Sequence, residues 1–422
     1  MNATPYLEVQ GPLDWAQFVD NGWDVRPVVY RQGRAAPYPV DAALRAAAAA
    51  AREATAGGTV CRFVLDDRQL RQPGGWLPRA DDGDFARYAQ RVLREAGTRA
   101  GYALIVNEFH RHDADIFEAG RRFFRGLWAH VGLPASGAIT TLFHGNYERT
   151  PVGVHKDRFS TFVFVLQGRK RMRFWPERPW QDAVATRVDY AQHLDASFAI
   201  EIGPGDLLYW PSTYYHVGET VGAEVATSVN VGVPHDGHAV LYALDAIERA
   251  AEACDADETG PAADALGMED AGRPAGVVQA LERARDLTSA QALRSAATAG
   301  YLSLSTGGGF MPPPPAMPLA ALDDRAQLRL ADPAYPLLWS HDGASGAVLC
   351  GAAGHVRRVE RFDPVAAAWL RRFDGGAAIA VDALLAPFEE RPVGTTSMPR
   401  DEARALLQWL VSTRALACVS AV

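Results

Sequence analysis

Two neighbouring runs limit this chain's fold more than anything else in it. Phe159-Ser160-Thr161-Phe162-Val163-Phe164-Val165-Leu166 is mostly β-branched and aromatic, as a strand buried on both faces should be. Gln167-Gly168 makes a short turn, and the chain returns as Arg169-Lys170-Arg171-Met172-Arg173-Phe174-Trp175. Here alternation is strict. Arg169, Arg171 and Arg173 share one face, and Lys170, Met172 and Phe174 share the other. Strand patterns dominate from Ala138 to Val233, with turns at Gly153, Gly168, Gly203-Pro204-Gly205 and Gly222. Short strands at such spacing imply a closed or two-sheet β structure such as a jelly roll.

Chemistry-bearing residues sit on these strands. In Val154-His155-Lys156-Asp157-Arg158 the histidine and the aspartate are two apart, so on a strand both point to one face. A further strand, Gly205-Asp206-Leu207-Leu208-Tyr209-Trp210-Pro211, leads on to His216. Two histidines and one carboxylate, with no cysteine nearby, make the ligand set of a non-haem Fe(II) oxygenase. Lys170 is the lone cation on an apolar face. An unpaired buried ammonium is costly, so it either has an anionic partner or snorkels to the strand end. His110-Arg111-His112-Asp113 is a rival metal constellation, against a helix N-cap at Asp113 or Asp115. His144 faces either substrate or core.

His155-x-Asp157, Gly168, Lys170 and Pro204-Gly205-Asp206-Leu207-Leu208-Tyr209-Trp210-Pro211 up to His216 resemble the Jumonji C (JmjC) family. The likeness is to the asparaginyl hydroxylase that inhibits hypoxia-inducible factor and to the cupin-like ribosomal oxygenases. The resemblance implies that His155, Asp157 and His216 hold Fe(II), and that Lys170 binds the distal carboxylate of 2-oxoglutarate, with O2 as the other reactant. It also suggests Thr161 and Asn230 as polar neighbours of the co-substrate, Thr161 being inward with Asp157 by parity. The family's further polar contact falls near Val152, which has no hydroxyl, and is left unassigned. The fold implied is α+β. It comprises a double-stranded β-helix (cupin, jelly-roll) JmjC core with flanking helices, a helical segment and a C-terminal winged-helix-like domain.

At 422 residues the chain is too long for one ordinary core. We expect an oxygenase domain over 1–236, a helical and dimer-forming segment over 237–311, and the winged-helix-like domain over 312–422. The Gly307–Pro315 run marks the last boundary. In the first part helices are expected at about Val40–Ala54, Asp81–Ala96 and Ile116–Val131, with strands at Thr59–Val64 and Ala103–Val106. The second part should hold helices over His238–Cys254 and Val277–Ala297 around an acidic link, Asp255–Arg273. Net charge of −8 argues against sequence-blind nucleic-acid binding, although Arg169, Arg171 and Arg173 could form a local basic strip. Scattered Cys61, Cys254, Cys350 and Cys418 read as reduced thiols of a cytoplasmic protein. Met1–Pro5 begins no signal peptide, and no apolar run reaches membrane-spanning length.

The function expected is an Fe(II)- and 2-oxoglutarate-dependent hydroxylase acting on an amino-acid side chain of a protein or peptide. A ribosomal protein and a biosynthetic precursor peptide are both compatible substrates. The rivals are an N-methyl demethylase of the same family, a non-catalytic cupin-type binding module, and a zinc or manganese cupin, which would have no use for Lys170.

Overall fold

The computed structural model describes residues 4–32, 36–55, 60–97, 100–147, 150–222, 224–234, 285–286, 289–318, 321–342, 347–388 and 397–419. The helices expected at His238–Cys254, the acidic link and the start of the helix expected from Val277 lie outside the described residues. The chain forms two compact units: Met1–His235 with Gly309–Pro315, and Asp236–Gly308 with Ala316–Val422.

In the first unit the strands are β1 (Leu7–Gln10), β2 (Val28–Arg31), β3 (Cys61–Leu65), β4 (Arg68–Gln69), β5 (Tyr102–Asn107) and β6 (Ile139–Gly145). They continue as β7 (Phe159–Gln167), β8 (Lys170–Trp175), β9 (Phe198–Ile202), β10 (Leu207–Trp210), β11 (Tyr215–Thr220) and β12 (Ala226–Pro234). A large sheet runs in the order β1-β2-β10-β7-β12-β6-β5-β3-β4, and a small one in the order β11-β8-β9. The side-chain period of two decides what each face does. On β7, Phe162, Phe164 and Leu166 point into a cluster with the helices, while Val163 and Val165 pack against Met172, Phe174 and Ile200 of the small sheet. Both faces are therefore buried, as the uninterrupted apolar run implies.

Helices α1 (Trp15–Asn21), α2 (Val40–Thr55), α3 (Phe85–Ala96) and α4 (Ala114–Val131) cover the outer face of the large sheet. Alanine forms the buried stripe of α2: Ala43, Ala46, Ala47 and Ala50 are fully covered. Asp113 caps α4, its carboxylate accepting from the amides of Asp115 and Ile116. The Gly/Pro-rich run expected as a boundary departs from that expectation. Gly309–Pro315 returns to this unit, with Phe310 fully buried, bridged to Ala138 and edge-on to Phe124 at 5.9 Å. One large aromatic side chain anchors a segment whose composition otherwise reads as a linker.

The second unit contains α5 (Ala290–Thr306), β13 (Gln327–Leu330), β14 (Leu338–His341), β15 (Val348–Ala352), β16 (His355–Val359), α6 (Pro364–Leu370), β17 (Ile379–Ala380), α7 (Val381–Leu385), α8 (Arg400–Ser412) and β18 (Leu416–Val419). Its strands form two antiparallel sheets, β17-β13-β18 and β14-β15-β16. The hairpin expected around Gly351–Gly354 is β15–β16, turning through Ala353-Gly354. Leu328, Trp369, Phe373, Leu384 and Leu407 make the core. Among the described residues, no helix is long and apolar enough to cross a membrane.

Candidate metal centre

Gly153 sets the approach to the site. Its φ is +73°, and a Cβ there would lie 2.6 Å from the Arg187 carbonyl oxygen, so only glycine fits. The next residue, Val154, bonds backbone to backbone with Arg187 and is buried with Trp175, Trp180 and Val217. His155 then exchanges both backbone hydrogen bonds with His216, at 3.1 and 2.8 Å. That bridge brings two histidines distant in sequence to ring centroids 4.5 Å apart.

Each ring is held through Nδ1. That of His155 donates to the Gly153 carbonyl at 2.9 Å, and that of His216 faces the Tyr214 carbonyl at 3.4 Å. A proton on Nδ1 leaves the Nε2 lone pair free, which is the tautomer a metal requires. Both Nε2 atoms converge on Asp157, at 3.5 Å from Oδ1 and 3.5 Å from Oδ2 respectively. One ligand atom from each of the three residues lies within 4.8 Å of the others. Burial and the adjacent His216 push the His155 imidazole down, keeping it neutral. Burial alone would raise the Asp157 carboxyl, but His216 and His155 outweigh it and hold the acid below its usual range.

Beside these three side chains lies a cavity of about 180 Å³. Lys170 enters it fully buried. Its Nζ donates to Ser228 Oγ at 2.8 Å and lies 4.6 Å over the Phe143 ring and 5.7 Å from that of Tyr147. Among the described residues no carboxylate pairs with it, and burial pushes its ammonium down to about 7. Three buried polar atoms on the same cavity also lack partners among the described residues: Thr161 Oγ1, Asn230 Oδ1 and Thr150 Oγ1. Orphaned buried polar groups cost free energy unless something absent from the bare protein satisfies them.

Each expected site residue, His155, Asp157, His216, Lys170, Thr161 and Asn230, lines this one cavity. Thr150, which could supply the family contact expected near Val152 only with a local insertion, lines the cavity, and one further neighbour, Ser228, escapes the sequence reading. Ser228 shares a strand face with Asn230, a parity that could have revealed it. The rival His110 is occupied instead: its Nδ1 meets Thr140 Oγ1 at 2.8 Å and its Nε2 meets the Pro312 carbonyl at 3.0 Å. His144 is a core residue, bonded to the Tyr102 hydroxyl at 2.9 Å and to Thr227 Oγ1 at 2.8 Å. The basic strip is neutralised where strand pairing brings acids alongside, Arg171 bonding Glu201 and Arg173 bonding Glu219.

Residues 134–238 match the family model of the JmjC domain. No curated protein matches the chain. Solved structures of Escherichia coli YcfD, described as a ribosomal oxygenase, are similar at low identity. One is 15% identical over 96% of this chain and 98% of that one, with a TM-score of 0.48. Another, in complex with cobalt and succinic acid, is 14% identical over 96% and 98%, with a TM-score of 0.46. A third, with cobalt and 2-oxoglutarate, is 16% identical over 96% and 98%, with a TM-score of 0.43. The motif and the converging ligand atoms of His155, Asp157 and His216 lie within the matched segment: residues 134–238 of this chain match the JmjC domain.

Proposed function

We propose that the protein is an Fe(II)- and 2-oxoglutarate-dependent hydroxylase of an amino-acid side chain in a protein or peptide. One observation carries the reading. Two histidines and an aspartate converge on the cavity that also holds a buried lysine side chain and orphaned hydroxyl and amide groups. That donor set fits a divalent iron with open positions, and the polar remainder fits a small dicarboxylate. His155, Asp157 and His216 would hold the metal; Lys170, with Ser228 behind it, would receive the distal carboxylate, flanked by Thr161, Asn230 and Thr150. When bound, iron and 2-oxoglutarate let O2 oxidise a substrate C–H bond, one oxygen atom entering the product and the other succinate, with release of CO2. The chain itself supplies the ligands, holds the Nδ1 protons on backbone carbonyls, and lines the cavity with the apolar side chains of Phe143 and Met172.

Hydroxylation of a protein side chain, homodimerisation through 237–311, a cytoplasmic location, and a winged-helix-like second unit that positions the substrate are parts of this reading. Its test is direct. Iron-dependent conversion of 2-oxoglutarate to succinate should accompany a gain of one oxygen in a peptide or protein substrate. Formaldehyde release would favour the demethylase, and no turnover at all the binding module. Truncation near Pro318 should spare 2-oxoglutarate turnover and raise KM for substrate; light scattering reads the dimer.

A further inference from the structure

Strand register places one cation at the mouth of the cavity. Across the large sheet the neighbours run Arg62–Ile105–Phe143–Ser228. Ser228 is the partner of the deeply buried Lys170, so the row leads from the interior of the cavity outward and ends at Arg62. Three strand spacings put Arg62 about 14 Å from Ser228. It is exposed, lines the cavity, and among the described residues pairs with no carboxylate.

The rest of the lining sharpens this. Asp157 is the one acid among the described lining residues, and the metal reading commits it. Ile139 and Val152 stand exposed at the rim, at 41% and 38%, offering hydrocarbon rather than charge. With a divalent metal on Asp157 and a dicarboxylate on Lys170, the formal charge left to face the substrate is that of Arg62. A lysine, methyl-lysine or arginine side chain would enter beside a guanidinium and a metal with no free carboxylate to receive it. An acidic residue would gain a charge-assisted, bidentate partner.

We infer, resting on the hydroxylase reading above, that the cavity selects a peptide segment carrying an aspartate or glutamate at or beside the modified residue, with Arg62 as its specificity determinant. Cationic side chains are turned away.

The experiment uses the full-length iron-loaded protein and a chymotryptic peptide pool from a bacterial proteome, which keeps acidic and basic residues intact. Peptides that gain one oxygen are mapped by mass spectrometry, and succinate is measured in the same samples. The readout is the ratio of acidic to basic residues around modified positions, taken relative to the pool within each enzyme, so it does not depend on overall rate. The wild-type ratio should exceed that of the pool by about tenfold or more. Arg62→Ala should bring it towards the pool, and Arg62→Glu should invert it. Enrichment of lysine or arginine, an unchanged profile in Arg62→Glu, or succinate formation with no modified peptide would each overturn the inference. Absence of succinate in the wild type would instead refute the metal reading, and the inference would fall with it.

Discussion

Replacing Lys170 with methionine separates what this residue does for function from what it does to stability. Methionine keeps an unbranched side chain of similar volume and removes the charge. In the bare protein the Lys170 ammonium is buried with Ser228 as its hydrogen-bond partner, and its pKa falls from 10.5 to about 7. At about 1.4 kcal/mol per pH unit, that drop amounts to about 5 kcal/mol against the folded state. The fold disfavours the charged form, so the penalty is full below pH 7, where both states are protonated. It shrinks as pH rises from 7 towards 10.5, where the unfolded chain also loses the proton. Lys170→Met should therefore stabilise the metal-free protein by several kcal/mol at pH 6.5 and by clearly less at pH 9. Hydrogen exchange of β7 and β12 amides reads this in the first unit alone. The same variant should bind 2-oxoglutarate at least about tenfold more weakly by anaerobic calorimetry with iron present, since a charge-assisted pair is worth about 1.5–3 kcal/mol. A variant no more stable than wild type, or a gain that ignores pH, would refute the burial argument. Unchanged 2-oxoglutarate affinity would refute the functional one.

Three other outcomes follow from the same geometry. His155→Ala or Asp157→Ala should lose iron, measured by metal content, and succinate formation, while circular dichroism stays that of the wild type. Gly153→Ala should cost about 1–3 kcal/mol of local strain, because a Cβ at φ +73° meets the Arg187 carbonyl; iron content should fall as the Val154–Arg187 bridge is displaced. On acidification, buried His110 and His144 resist protonation until about 4 and about 3, whereas the unfolded chain takes up protons near 6.5. Their contribution is whole above pH 6.5 and is lost as pH falls, on the order of 3 kcal/mol for His110 by pH 4. The denaturant midpoint should drop over that range, and a flat profile would contradict it.

Much of this protein is legible in its amino-acid sequence. The period of two puts His155 with Asp157 and sets Lys170 apart from its arginine neighbours. The apolar run of β7 announces a strand with two covered faces. These are local consequences of backbone geometry, so adjacent residues suffice to state them. Register between distant strands is a different kind of fact. It joins His155 to His216, which the motif already names, by a direct backbone bridge. It sets Ser228 under Lys170, gives Arg171 and Arg173 their glutamates, and lines up Arg62 with the row that ends at the cavity mouth. Phe310 likewise turns a glycine- and proline-rich run into part of the first unit's core. The physical reason is the same in each case. A side chain's direction is set by its own few bonds, but its neighbours are set by which strands the whole core can bury together, and that choice is made by the entire chain at once.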